Sequence, residues 1–221
     1  INALKDKYIA GEAAEALGKL GDRAAIPALI DALKNEDTYV RLTAAEALRK
    51  LGDKAAIPAL IDARKEGDFV MRRIAAEAID KLGEIGERSD VPALIVALKD
   101  EDFATRRIAA STLGKMRDRS AVPALMDSLK DTNYFVREAA AEALGRIGDR
   151  SAVPALIDAL EDIRYDVRGT VAEALGNLGD KSAMPALIDA LRDDRDKGWL
   201  RPKAARALGE LADKSVVPTL T

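Results

Sequence analysis

Seven of the eight prolines fall at positions 27, 58, 92, 123, 154, 185 and 218, with gaps of 31, 34, 31, 31, 31 and 33 residues between them. Six of them sit in one phrase, read as IPALIDAL from Ile26, IPALIDAR from Ile57, VPALIVAL from Val91, VPALMDSL from Val122, VPALIDAL from Val153 and MPALIDAL from Met184. A fixed period near 30 residues marks units that cannot bury their apolar faces alone and must stack on their neighbours. A stack offers no central cleft, so function is expected on the long surface that stacking creates.

One unit reads in full from Arg150 to Gly179. Its first half carries Val153, Leu156, Ile157 and Leu160 at helical spacing, an apolar stripe. Pro154 fits only a first turn, where its missing N–H has no intrahelical partner. That puts the helix start near Ser151, read as the capping residue. A polar break at Glu161 to Arg164 precedes a second helix from about Tyr165, with Val167, Val171, Ala174, Leu175 and Leu178 inward. Gly179 ends it, as glycine ends many helices in the left-handed conformation. Gly21, Gly52, Gly83 and Gly148 hold the same place, each followed by Asp or Glu. Alanine pairs at 44–45, 75–76, 109–110, 140–141 and 204–205 recur in the second helix, where small side chains admit close neighbours and alanine favours the helix.

A second column holds Arg41, Arg72, Arg106, Arg137, Arg168 and Arg201, early in the second helix. Six residues before most of them stands a turn residue, Asn35, Glu66, Asp100, Asp131 or Asp162. The combined pattern resembles the HEAT repeat, and more narrowly the HEAT-like units named after phycobilisome lyases. The resemblance implies an all-α, right-handed solenoid of stacked antiparallel helix pairs, in which turn Asp and helix Arg bond within and between units. It divides the chain into one continuous array: a partial repeat 1–21, full repeats 22–52, 53–83, 84–117, 118–148, 149–179 and 180–212, and a partial repeat 213–221. Departures are the insertion at Glu84 to Glu87, Met116–Arg117 in place of Leu–Gly, Arg64 in place of leucine, Gly169 inside a helix, and the Asp193–Gly198 insertion with Pro202.

Composition narrows the function classes. The chain has 35 basic and 38 acidic residues in 221, a net charge of -3, and neither histidine nor cysteine. That balance supplies no basic field for nucleic acid. Without cysteine there is no disulfide framework and no thiolate metal site, a weak lean towards the cytoplasm. No apolar run is long enough to span a membrane. Lacking histidine, the chain cannot supply the His–Glu pairs on which HEAT-like iron hydroxylases depend, and no metal or cofactor is expected. The glutamates recurring in the second helix, Glu15, Glu46, Glu77 and Glu142, are followed four residues on by Lys19, Lys50, Lys81 and Arg146. Such pairs are surface helix pairs worth roughly 0.2–0.5 kcal/mol each. Enzymatic activity is therefore not expected.

The binding candidates are aromatic. All eight aromatic residues, Tyr8, Tyr39, Phe69, Phe103, Tyr134, Phe135, Tyr165 and Trp199, cluster at the turn into the second helix. Stacking would align them along one edge, where exposed aromatics make interface anchors. The structural reading, that they cover the turn and pack on the preceding helix, stands beside it. Arg73 and Arg107 follow ladder arginines and would give a positive spot on the second-helix side, or else be merely solvated. The columns after the arginine (Leu42, Arg73, Arg107, Glu138, Gly169, Pro202, and then Thr43, Ile74, Ile108, Ala139, Thr170, Lys203) vary as an outward surface would. The reading is a non-enzymatic scaffold binding a protein or peptide on the concave face, which the resemblance implies the second helices line, and on the aromatic edge. The alternative is a bilin lyase or chromophore-handling subunit, which the resemblance implies; nucleic-acid binding ranks below both. Neither end reads as capped, so the chain is expected to be a fragment or to associate end to end.

Overall fold

An Asp after the left-handed residue that ends a second helix starts the next repeat, because its carboxylate can accept the backbone N–H two residues on, an otherwise unpaired donor of the coming turn. Asp22, Asp118, Asp149 and Asp180 accept from Ala24, Ser120, Ser151 and Ser182 at 2.8–3.0 Å. Each opens one 3-10 turn, such as Arg150–Ala152, before the α-helix begins at the residue preceding proline. Ser151 is therefore not the cap. Its N–H is what Asp149 satisfies, and with its hydroxyl it holds the Asp149 carboxyl below the ordinary carboxylate range.

The computed structural model describes residues 1–6, 8–66, 71, 74–75, 77–79, 91–193 and 198–216. Phe69, Arg72, Arg73 and the Glu84–Glu87 insertion lie outside the described residues, as does most of the Asp193–Gly198 insertion. The described segments are helices and turns. The chain divides into two compact units, Ile1–Ile108 and Ala109–Thr221.

In the first unit the helices are α1 (Ala10–Leu20), α2 (Ile26–Ala32), α3 (Thr38–Leu51), α4 (Ile57–Glu66) and α5 (Val91–Ala97), followed by the start of α6 (Phe103–Met116). Helix α3 packs on both α1 and α2, and α4 packs on α5. In the second unit the end of α6 leads to α7 (Val122–Ser128), α8 (Tyr134–Ile147), α9 (Val153–Ala159), α10 (Tyr165–Leu178), α11 (Met184–Ala190) and α12 (Leu200–Val216). Short first helices pack on long second helices (α7 on α8, α9 on α10, α11 on α12), and the second helices stack as α8–α10–α12. The fold is all-α, a solenoid of helix pairs.

Burial follows the phrase. Leu29, Leu60, Leu94, Leu125, Leu156 and Leu187, the leucine after Pro-Ala, are wholly buried, while Ile157 is only half-buried. The alanine pairs are buried at 44–45, 109–110 and 140–141, but Ala205 is exposed. The tightest approach lies elsewhere in the second helix. A Cβ built on Gly114 would stand 2.7 Å from Ala143 Cα, on Gly145 2.9 Å from Ala174 Cα, and on Gly176 3.0 Å from Ala207 Cα. In the first unit Gly18 meets Ala47 in the same way, at 2.8 Å. Glycine opposite alanine thus sets how closely successive second helices pack.

Gly21, Gly52, Gly148 and Gly179 end their helices at φ of 67–76°. Arg117 takes the same turn at φ 52°, a left-handed conformation that its side chain makes costly. Departure from the Leu–Gly pattern at Met116–Arg117 therefore stores strain at that turn.

Candidate partner-binding surface

The arginine column serves the frame. The carbonyls of the turn between first and second helix have no partner in either helix. Arg41 Nη1 donates to Asn35 and Glu36 carbonyls at 2.7 Å, Arg106 Nη1 to Asp100 and Glu101 at 2.7 and 2.9 Å, and Arg168 Nη1 to Asp162 at 2.8 Å. Arg201 Nη2 donates to the Asp193 carbonyl at 2.9 Å, eight residues back because the insertion lengthens the turn. Within a repeat the partner is thus the turn residue's backbone. Its carboxylate does two other things: Asp162 Oδ1 accepts the Arg164 N–H at 2.8 Å, and both oxygens receive Arg137 of the preceding repeat. Arg168 Nε lies 3.3 Å from Asp193 Oδ2, one repeat on, with both side chains at least nine-tenths buried. Asp100 and Asp131 accept backbone N–H groups of Asp102 and Asn133 in the same way as Asp162.

Arg64 belongs to no column. Where the other phrases carry leucine, this buried arginine donates Nη1 to Asp102 Oδ2 and to the Thr105 hydroxyl. Thr105 stands where the other second helices have Val40, Met71, Val136, Val167 and Leu200. The two exceptions are thus one polar contact: burial works against the Asp102 carboxylate, but the bonds from Arg64 and Thr105 together outweigh it and hold the carboxyl below its ordinary range.

The glutamate column forms surface pairs. Glu15–Lys19 stands at 2.6 Å and Glu142–Arg146 at 2.7 Å, while Glu46 binds Arg49 more closely than Lys50 (3.9 Å). Glu173 reaches the next repeat instead, to Arg206 and to Lys203 at 3.2 Å. Beside them Glu138 is half-buried, its Oε1 3.5 Å from the Thr170 hydroxyl. Burial, then the nearby Asp166 charge, pushes its carboxyl up despite Lys203. The columns expected to face outward are mixed: Arg107 and Pro202 are exposed, but Ile108 and Ala139 are buried, and the Lys203 stem covers Gly169.

The described aromatics fall in both units. In the first unit Tyr8, Tyr39 and Phe103 are exposed, and Tyr39 lays its ring against Gly11, where a methyl would overlap it. In the second unit they assemble with cations. Tyr134 stacks on Phe135 with centroids 4.0 Å apart, and the Arg164 guanidinium stands 4.3 Å over Tyr134 and 5.4 Å from Tyr165. Tyr165 faces Trp199 at 6.3 Å, and Lys203 Nζ lies 5.8 Å over Trp199. Phe135 and Trp199 remain 42% and 53% exposed. The row spans three successive repeats within one unit. Arg164 escaped the sequence reading because it lies just before the aromatic column, at a place that carries Asp or Asn in four of the other five units. Among the described residues no cluster of acidic side chains could hold a metal ion.

The repeat frame decides kinship. The pattern of HEAT repeats matches residues 1–80, 74–144, 91–165 and 129–200. The chain belongs to the HEAT-repeat family. No curated protein matches it. Among solved structures it is similar to human deoxyhypusine hydroxylase in complex with glycerol, at 26% identity over 95% of this chain and 82% of that one, with TM-score 0.51. It is similar as well to the CpcE–CpcF complex of phycocyanin lyase from a Nostoc species, at 25% identity, 71% and 99% coverage and TM-score 0.59. An Escherichia coli protein, YibA, shares 24% identity over 96% of this chain and 79% of that one, with TM-score 0.59. No described helix of this HEAT-repeat chain is long and apolar enough to cross a membrane.

Proposed function

We propose that this HEAT-repeat chain is a scaffold without enzymatic activity that captures a protein or peptide partner through its aromatic–cation row. The observation that carries the reading is the run Tyr134, Arg164, Tyr165, Trp199, Lys203, which joins three repeats and leaves large ring area exposed. Aromatic and arginine side chains at the centre of a rigid surface supply most of the energy in protein interfaces. The arginine ladder and the Gly–Ala contacts hold the rings at or beside the starts of packed helices, so little ordering is required when a partner lands. In the first unit Tyr39 and Phe103 offer a smaller aromatic area, with Arg107 near Phe103 in sequence.

The test is capture of a partner from a proteome by the immobilised chain, repeated with Trp199→Ala and Arg164→Ala. Both variants should keep the wild-type melting temperature within a few degrees and lose the captured protein. Capture that is indifferent to both overturns the proposal. A second reading, bilin handling, is favoured by the likeness to the phycocyanin lyase complex over nearly all of that chain. Mixing the chain with a bilin and recording a shift in visible absorbance supports it, and an unshifted spectrum removes it. Nucleic acid ranks lowest because the chain is acidic overall.

A further inference from the structure

We propose that the first-helix side of the second unit is a docking groove for a basic, extended segment of another protein whose apolar side chains recur every third residue. This surface lies on the short helices, and no aromatic residue lines its crevices. A crevice of about 350 Å³ opens between α7 and α9, with Met126 and Leu129 on one wall and Ala155 and Ala159 on the other. A second, of about 520 Å³, opens between α9 and α11, with Ile157 and Leu160 facing Ala186 and Ala190. The same phrase positions line a crevice of about 580 Å³ between α2 and α4 in the first unit, so the feature is built by the repeat.

Charge identifies the occupant. Asp127, Asp158 and Asp189 stand next to last in their seven-residue helices, where a negative charge opposes the helix dipole. All three are exposed. Among the described residues no hydrogen bond or ion pair holds the side chains of Asp127 and Asp158, and Asp189 has only Arg192 at 3.8 Å. The frame therefore gains nothing visible from three acids at a helix end that disfavours them. Glu161 adds to the same rim, against Lys130 and Arg192. A partner bringing lysine or arginine between apolar residues complements both the rim and the crevices. Spacing fixes its conformation. Packed helices lie about 8–10 Å apart. A polyproline II segment repeats its side-chain direction every three residues, about 9.3 Å.

The probe is a fluorescent peptide of four Leu-Lys-Pro triplets, followed by anisotropy at low salt. It should bind the wild-type chain, and Asp127→Asn/Asp158→Asn/Asp189→Asn should weaken it at least tenfold with an unchanged thermal melt. Peptides of Leu-Glu-Pro or Lys-Lys-Pro triplets should bind at least tenfold more weakly than the first, reporting charge and apolar insertion separately. Trp199→Ala should leave the affinity unchanged. No binding by the wild type, equal binding by the triple variant, equal binding of either control peptide, or loss of binding in Trp199→Ala overturns the proposal.

Discussion

Gly114 and Gly209 occupy the same place in their second helices, yet Gly→Ala should act on them in opposite directions. Alanine is favoured over glycine in a helix by about 0.8–1.0 kcal/mol. At Gly209 a new Cβ meets nothing within 4 Å, so the full gain should appear, raising the melting temperature by roughly 2–4 °C for a chain of this size. At Gly114 the same Cβ would fall 2.7 Å from Ala143 Cα and 2.8 Å from its Cβ, far inside ordinary van der Waals separation. Both atoms belong to a packed helix and cannot swing aside. Overpacking of this kind costs about 1–3 kcal/mol, occasionally more, and so exceeds the propensity gain. The net expectation for Gly114→Ala is a loss of up to about 2 kcal/mol by this balance. Adding Ala143→Gly should rescue it only in part, because the new methyl still overlaps the backbone of residue 143. Urea and thermal melts of the four proteins, wild type, Gly114→Ala, Gly209→Ala and the double variant, decide it. If Gly114→Ala is as stable as Gly209→Ala, glycine opposite alanine does not set the helix spacing.

Arg137→Met should cost about 3–5 kcal/mol, since it strands the buried Asp162 carboxylate, whereas Arg146→Met should cost under about 0.5 kcal/mol, since it breaks only an exposed helix pair. Arg117→Gly should stabilise by about 1 kcal/mol by relieving the left-handed turn, read as a higher denaturation midpoint. Glu138→Gln should raise the melting temperature at pH 7. The folded carboxyl titrates above its unfolded value, so its ionised form destabilises the fold as pH rises through that window. The advantage of Glu138→Gln over the wild type should therefore shrink as pH falls and vanish below the unfolded glutamate range.

How legible was this in the chain? Proline, glycine and the leucine stripe carry local instructions: Pro154 admits only a first helical turn, Gly179 a left-handed end, and Leu156 an apolar face. Those instructions repeat, so helix pairs, their order and their family were readable without coordinates. The ladder was readable as a column, and the family resemblance implied Asp–Arg bonding within and between units, but not which atoms would bond. Nothing local says that Arg137 hands its Nη1 to the Asp131 carbonyl and its other donors to Asp162, 25 residues on. Arg64 stood out in the sequence only as a departure from leucine, and Thr105 drew no attention until the two side chains met.

The candidate surfaces divide in the same way. The sequence by itself placed every aromatic residue in one column, because the period fixes position along a repeat. Only packing decided that Tyr39 rests on Gly11 while Tyr134, Tyr165 and Trp199 gather round Arg164 and Lys203. Which rings and charges touch depends on the distance between helices from different repeats, and that distance is set by close approaches such as Gly145 on Ala174. Period is a one-dimensional property that the chain carries in itself. Contact between repeats exists only once they stack.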